Sequence, residues 1–303
     1  MSHPTISSPS PTTRRRPWLA ALLSLLLTGL GHVYTGRPKR AARLWLATFL
    51  LAVVALFLVV VLPSTPALVV FVVLLIGPPV AVAVDAWRLA RASDSAYPLQ
   101  WYNRWYWYAA AIGLASLVVQ PRLRTFLKGH IAEAYRLPSG SMAPAYETGD
   151  FLLVSPLRSA PRRGEVVIYR TASGPFFKRV VAGPGDTVAM RDGTLLLNGH
   201  VVEESYEVHD STDPAPDDFK WQRDFLAPGV SRTSYVASLH TWGPLVVPPA
   251  NYFVLGDNRN NSLDSRYMGF VPRDSITARP FLTYFSWDST THSVRWRRLG
   301  LAH

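Results

Sequence analysis

Two hydrophobic patterns meet near residue 121. Before it, apolar residues run in long blocks separated by short basic stretches; after it, apolar runs of three to six residues alternate with turn residues. The first pattern predicts membrane helices. Residues 44–62 carry no charge and are long enough to span. Residues 67–86 form a second apolar block, with Pro66 at its start and Pro78-Pro79 inside, which predicts a kink or a break. The block at about 103–120 follows Trp101 and Tyr102 and includes the run WYWY, the aromatic belt expected where a helix crosses a membrane surface. Residues 18–36 are a poorer span, because Gly29, Gly31 and His32 interrupt them.

Charge sets the expected topology. Arg14, Arg15 and Arg16 close a Ser/Pro/Thr-rich segment, residues 1–17, that reads as a disordered basic tail. Arg37, Lys39, Arg40 and Arg43 follow the first block, and basic flanks stay in the cytoplasm. The block at 18–36 is therefore expected to enter and leave on one side, as a re-entrant or interfacial hairpin. Span 44–62 then runs outward, 67–86 returns to a loop with Arg88, Arg91 and Arg104, and 103–120 runs outward again. Residues 122–303 are thus expected outside the cytoplasm. A cleavable signal peptide is a poor reading of the first block, since no A-x-A site follows it and further spans do. GLGHVYTG lacks the spacing of a phosphate loop.

The second pattern predicts a mainly β domain. Runs such as FLLV, EVVIY, TLLL and YFVL are rich in β-branched and aromatic residues. Asp192-Gly193 is a hairpin signal and Asn198-Gly199 a further turn. Residues 203–245 are rich in Pro, Asp and Ser and read as an insertion or small cap. The fold class expected is a membrane α-helical N-terminal region followed by a mainly-β domain. Net charge +11 raises the question of nucleic acid, but the basic residues gather largely at the ends of the apolar blocks, where they are topology signals. No cysteine is present, which removes disulfides and thiolate chemistry.

Chemistry is concentrated in LPSGSMAP, residues 137–144, with two serines on a Pro/Gly turn. A serine hydroxyl attacks only when a base takes its proton. None of the eight histidines sits in a catalytic frame; His209-Asp210 lies in an acidic, Pro-rich stretch. Of the four lysines, Lys39, Lys128 and Lys220 lie in polar surroundings, whereas Lys178 sits in GPFFKRVVAG, among apolar residues on an expected strand. Burial lowers a lysine pKa toward the working pH. The alternative for Lys178 is an edge strand with its ammonium in water. Arg259 stands where a calcium loop needs an oxygen ligand, and Asp210, Asp213, Asp217 and Asp218 read as a solvated loop.

LPSGSMAPAYETGDFLLV, RRGEVVIYR, FKRVVAGPGDTV and LGDNRNNSLDSRYMGFVP resemble, in order and spacing, the successive motifs of bacterial type I signal peptidases. The resemblance covers about residues 122–285. It implies a Ser/Lys endopeptidase in the bacterial plasma membrane, without metal or cofactor. Exported preproteins with signal peptides and the lipid bilayer would be its partners. By that resemblance Ser141 is the nucleophile and Lys178 its general base. The Ser141 N–H and the Ser139 hydroxyl form the oxyanion hole, and Ser262 orients the lysine. Asp257 with Arg179, and Asp264 with Arg266, are supporting ion pairs. Leu137, Met142, Tyr146, Phe176 and Phe177 match the substrate-pocket walls, whose bulk implies Ala-x-Ala before the cut. Asn260 stands where many members carry Asp, and the segments at 18–88 exceed the simplest members. Two competing readings are a self-cleaving repressor-like Ser/Lys peptidase and a membrane scaffold with a degenerate peptidase-like domain.

Overall fold

The computed structural model describes residues 12–13, 15–62, 64–92, 97–98, 100–209 and 219–301. The basic tail lies mostly outside them, as do Asp210, Asp213, Asp217 and Asp218. The chain forms two compact units, divided between Leu127 and Lys128.

In the first unit, α1 (Pro17–Leu26) begins with a proline, whose fixed φ suits a first helical turn. It ends before Gly29, and a short α2 (Leu30–Tyr34) turns the chain back. Among the described residues, α3 (Pro38–Val61) and α4 (Thr65–Ala92) are the two helices long and apolar enough to cross a membrane. Many of their large side chains, Phe49, Phe57 and Ile76 among them, are exposed, as lipid-facing positions would be. Ala20, Leu23, Leu30, Tyr34, Ala86 and Ala90 form one buried cluster. His32, fully buried, meets Asp85 through Nε2 at 2.7 Å, and Arg40 Nη2 donates to the same carboxylate at 2.9 Å.

Three expectations change here. The helix α4 runs unbroken through Pro78 and Pro79, because a proline in an apolar setting costs less as a missing hydrogen bond than a broken helix costs in exposed backbone groups. Lys39, Arg40 and Arg43, which the sequence reads as a basic loop between the first two blocks, lie instead in the first two turns of α3. The block at 103–120 is helical as α5 (Trp105–Leu114) and continues past residue 121, through a π turn at Ala115–Val119, into α6 (Gln120–His130). The change of pattern at 121 is therefore a change of helix surface from apolar to basic; apart from a two-residue pairing of Thr12–Thr13 with Tyr97–Pro98, strands begin after His130.

The second unit is an antiparallel β structure. Its strands are β1 (Glu133–Arg136), β2 (Asp150–Pro156), β3 (Val166–Thr171), β4 (Gly174–Ala182), β5 (Thr187–Arg191), β6 (Thr194–Leu197) and β7 (His200–Val201). There follow β8 (Trp242–Val246), β9 (Asn251–Leu255), β10 (Val271–Pro272), β11 (Ile276–Asp288), β12 (Ser293–Val294) and β13 (Gly300–Leu301). The large sheet has the order β10-β9-β4-β3-β11-β2-β1, with β12 and β13 also on β11; the small one has the order β8-β5-β6-β7. Asp192 and Gly193 both take positive φ, at 48° and 83°, as the two-residue hairpin between β5 and β6 requires.

The segment at 203–245 is not a separate cap among its described residues. β8 pairs with β5, and Gln222, Tyr235 and Trp242 are buried in the body of the unit. Apolar residues of both sheets close one core, including Val181, Met190, Leu245, Phe253 and Leu255. A second, of Leu137, Met142, Tyr146, Leu152, Ile168 and Phe177, underlies the serine turn.

Candidate active site

Ser141 lies on the loop between β1 and β2. Leu137 N–H donates to Asp150 O at 2.8 Å and Gly149 N–H to Leu137 O at 3.1 Å, so the loop is clamped at its base. Ala143 N–H to Gly140 O, at 3.1 Å, folds the turn that lifts Ser141 out. The other half of the site comes from β4. Residues Phe177 to Ala182 are buried on both faces of this strand, and Lys178 sits within that run, 3% exposed. The edge-strand alternative is therefore excluded by position: β4 lies between β9 and β3.

Lys178 Nζ is 2.8 Å from Ser141 Oγ. Burial is the largest cause and lowers the Lys178 pKa to about 8; Arg266 adds to that lowering, and Asp264 and Asp257 oppose it. A neutral amine at this distance can accept the hydroxyl proton. Ser139, on the exposed side of the turn, places Oγ 3.3 Å from Ser141 Oγ.

The loop after β9 closes the site from the third side. Gly256 permits this approach: a Cβ there would stand 2.6 Å from Ser141 O and 2.2 Å from Ser262 Oγ. Asn258 N–H donates to Ser141 O at 3.1 Å. Asp257 takes Arg179 bidentately, at 2.8 and 2.6 Å, and Asp264 takes Arg266 at 2.8 Å through both oxygens. Burial raises the Asp257 pKa despite Arg179. Burial also acts to raise Asp264, but the charge and hydrogen bonds of Arg266, with Gly256 N–H, hold it below the ordinary carboxylate range. Arg266 Nη2 further donates to Arg259 O at 2.6 Å, so the two ion pairs brace one loop.

A cavity of about 450 Å3 opens above the serine and lysine, walled by Leu137, Pro138, Phe176, Phe177, Ser262 and Leu263. Met142 and Tyr146 do not line it. They are fully buried beneath it, in the cluster under Leu137 and Phe177, because they follow the turn back into the core. Ser262 Oγ lines the cavity beside Lys178 but is buried without a hydrogen-bond partner among the described residues. Asn260, Asn261 and Leu263 also face the cavity and carried no role in the sequence reading; their only signal was membership of the GDNRNNSLDSR stretch. Arg259 is buried and donates to Glu204 at 2.6 Å and Glu207 at 2.8 Å, ion pairs that the sequence did not announce.

A buried serine hydroxyl in contact with a lysine amine, at the floor of a cavity on antiparallel sheets, is an arrangement of the kind serine hydrolases use. The family described as signal peptidase, peptidase S26, matches residues 105–285, and the chain belongs to it. The chain is 34% identical over 187 residues to a signal peptidase I of Leptolyngbya laminosa, covering 57% of this chain and 76% of that one. It is 31% identical over 179 residues to signal peptidase I T of Bacillus subtilis, covering 57% and 84%. A solved signal peptidase I from Enterococcus faecalis is 31% identical and covers 39% of this chain and 94% of its own, with a TM-score of 0.27.

Proposed function

We propose that this protein removes N-terminal signal peptides from exported preproteins, anchored in the bacterial plasma membrane with its β unit on the extracytoplasmic side. The contact of 2.8 Å between Lys178 Nζ and Ser141 Oγ carries the reading. Neutral Lys178 takes the Ser141 proton as Oγ bonds to the scissile carbonyl carbon. The carbonyl oxygen becomes an oxyanion facing the Ser141 N–H and, after rotation of its hydroxyl, Ser139. The C–N bond then breaks as the lysine ammonium gives its proton to the departing nitrogen. Water, deprotonated by the same lysine, hydrolyses the acyl-serine and restores the enzyme. Ser262, which lines the same cavity as Lys178 and whose Oγ has no hydrogen-bond partner among the described residues, takes the amine as donor and orients it in this reading. Asp257–Arg179 and Asp264–Arg266 hold the loop that carries it.

Leu137, Phe176 and Phe177 narrow the cavity, so small side chains before the cut fit and large ones do not, the Ala-x-Ala pattern. Met142 and Tyr146 set the position of that wall from behind. α3 and α4 supply the membrane anchor in this reading.

The test is cleavage of a preprotein in detergent. Ser141→Ala and Lys178→Ala each abolish it while the protein stays folded, and the double variant is little worse than either single, since the two act as a unit. Substantial residual cleavage by Lys178→Ala would sink the lysine-base assignment.

A further inference from the structure

The stretch LPSGSMAPAYETGDFLLV, which carries the nucleophile, contains two acids, Glu147 and Asp150, and no lysine or arginine. Asp150 is fully buried, and a buried carboxylate needs a cation from elsewhere in the chain. That cation comes from the C-terminal segment, beyond residue 285, where the family match ends. Asp150 begins β2 opposite Ser286 of β11, and β12 and β13 both return onto β11. The short turn Trp296–Arg298 between them brings Arg298 to the start of β2.

There every nitrogen of the Arg298 guanidinium donates, and every acceptor lies in residues 144–150. Nε meets both Asp150 oxygens at 3.1 Å. Nη1 donates to Pro144 O at 3.2 Å and Glu147 Oε1 at 3.1 Å, and Nη2 to Ala145 O at 2.9 Å and Asp150 Oδ2 at 2.8 Å. Asp150 also accepts from Ser286 Oγ at 2.6 Å and Glu147 N–H at 2.8 Å. Burial acts to raise its pKa, but Arg298 and these donors hold it below the ordinary range, so it stays charged. Arg295 adds a second tie, to the Glu147 carboxylate, Thr148 O and Trp287 O. Gly149 lets the two segments meet: its φ is 92°, and a Cβ there would stand 2.2 Å from Trp287 O.

The segment so gripped is the return arm of the serine loop. Leu137 and Gly149–Asp150 close that loop at its base, and Tyr146 N–H donates to Met142 O at 2.8 Å within it. Pro144 and Ala145, just past the nucleophile turn, have their carbonyls held by Arg298. We infer that Arg298 is a positioning residue for the reaction: its guanidinium fixes residues 144–150 and, through them, the placement of Ser141 against Lys178. It does not line the cavity above Ser141. The inference rests on the peptidase reading. Placement matters because a shift of about 1 Å can cost on the order of 10²-fold in rate.

The experiment uses the full-length protein in detergent with one preprotein substrate. It measures kcat, KM and, by tryptophan fluorescence at the same temperature, the folded fraction. Arg298→Lys keeps a cation for Asp150 but replaces a planar fork with one nitrogen, which cannot also reach both carbonyls. Its kcat per folded molecule falls about tenfold while KM stays within about twofold of the wild type. A rate per folded molecule equal to the wild type would leave Arg298 a support of the fold alone and overturn the inference. A loss confined to KM overturns it too, because the effect then lies in substrate fit. Asp150→Asn is a second reading: it keeps the shape and removes the charge that aligns the guanidinium, and its kcat per folded molecule falls likewise. The double variant is little slower than either single, since both act through one contact; additive losses contradict this. Failure of both single variants to fold would make the network a folding device and overturn the inference as well. If the wild type leaves the preprotein uncut, the peptidase reading itself falls, and the inference with it.

Discussion

At the scale of single residues, the site turns on the protonation of Lys178. Its pKa is about 8 because burial disfavours the ammonium, so the base form grows as pH rises and dominates only above that value. Cleavage is expected to rise about tenfold per pH unit below 8 and to level off above it. An acidic limb that disappears in a histidine variant would contradict this. The same shift has a stability consequence of defined sign. Between pH 8 and 10.5 the unfolded chain binds more protons at this lysine than the folded one, so stability rises with pH across that window. Below pH 8 the full penalty applies, on the order of 3 kcal/mol from the drop of 10.5 to about 8. Lys178→Met should therefore be inactive yet more stable than the wild type at pH 7, in chemical unfolding. Equal stability at pH 7 and pH 11 would show that the lysine is not desolvated. Ser139→Ala tests a separate role: loss of one oxyanion donor slows cleavage by about 10²–10³ without abolishing it, and an unchanged rate would reduce Ser139 to part of the turn. The meeting of Ser141 with Lys178, 37 residues apart, was legible because each sits in its own short motif. Burial of Met142 and Tyr146 was not, since a motif aligns positions but does not say which way a side chain faces after a turn.

At the scale of elements, apolar periodicity located most helices and strands, and errors fell where two local signals compete. Pro78-Pro79 reads as a kink or a break, and α4 does not break there, because membrane-like apolar runs leave the backbone no other partner. Pro, Asp and Ser in 203–245 read as an excursion, yet β8 and the Glu204–Glu207 stretch bind back to the body of the unit. That stretch is fastened through Arg259, whose partners lie 52 and 55 residues away with no local pattern to announce them. Glu204 and Arg259 side chains are each 1% exposed, so the pair is buried. Arg259→Met should cost about 3–5 kcal/mol, since it strands a buried carboxylate. Joint replacement of Arg259 and Glu204 by methionine should recover most of that loss. A single variant as stable as the wild type, in thermal or chemical unfolding, would mean the latch carries no load.

At the scale of the whole molecule, the proposed function requires Ser141 to lie across the membrane from the cytoplasm, where preproteins emerge. Helix α1 has 10 residues, about 15 Å of rise, half of a hydrocarbon core of about 30 Å. The contacts of its ends support a hairpin. Arg15 and Arg16, before α1, share a pocket with Ala90 and Arg91 at the end of α4. Beyond α2, His32 and Arg40 meet Asp85, six residues earlier on α4, about 9 Å along it. Entry and exit of the hairpin thus sit beside the same end of α4, and the arginines there favour the cytoplasmic face. With α3 outward, α4 inward and residues 103–120 outward, as the charge pattern of the sequence expects, the proposed topology leaves the β unit outside. Impermeant thiol labelling can decide this without a background, because the chain has no cysteine. Cysteine at Ser64 or at the exposed Ser205 should react from outside, and cysteine at Thr35 or Ser95 should not. If Thr35 labels from outside and Ser205 does not, the first block spans, the β unit is cytoplasmic, and the export-side function proposed here is wrong.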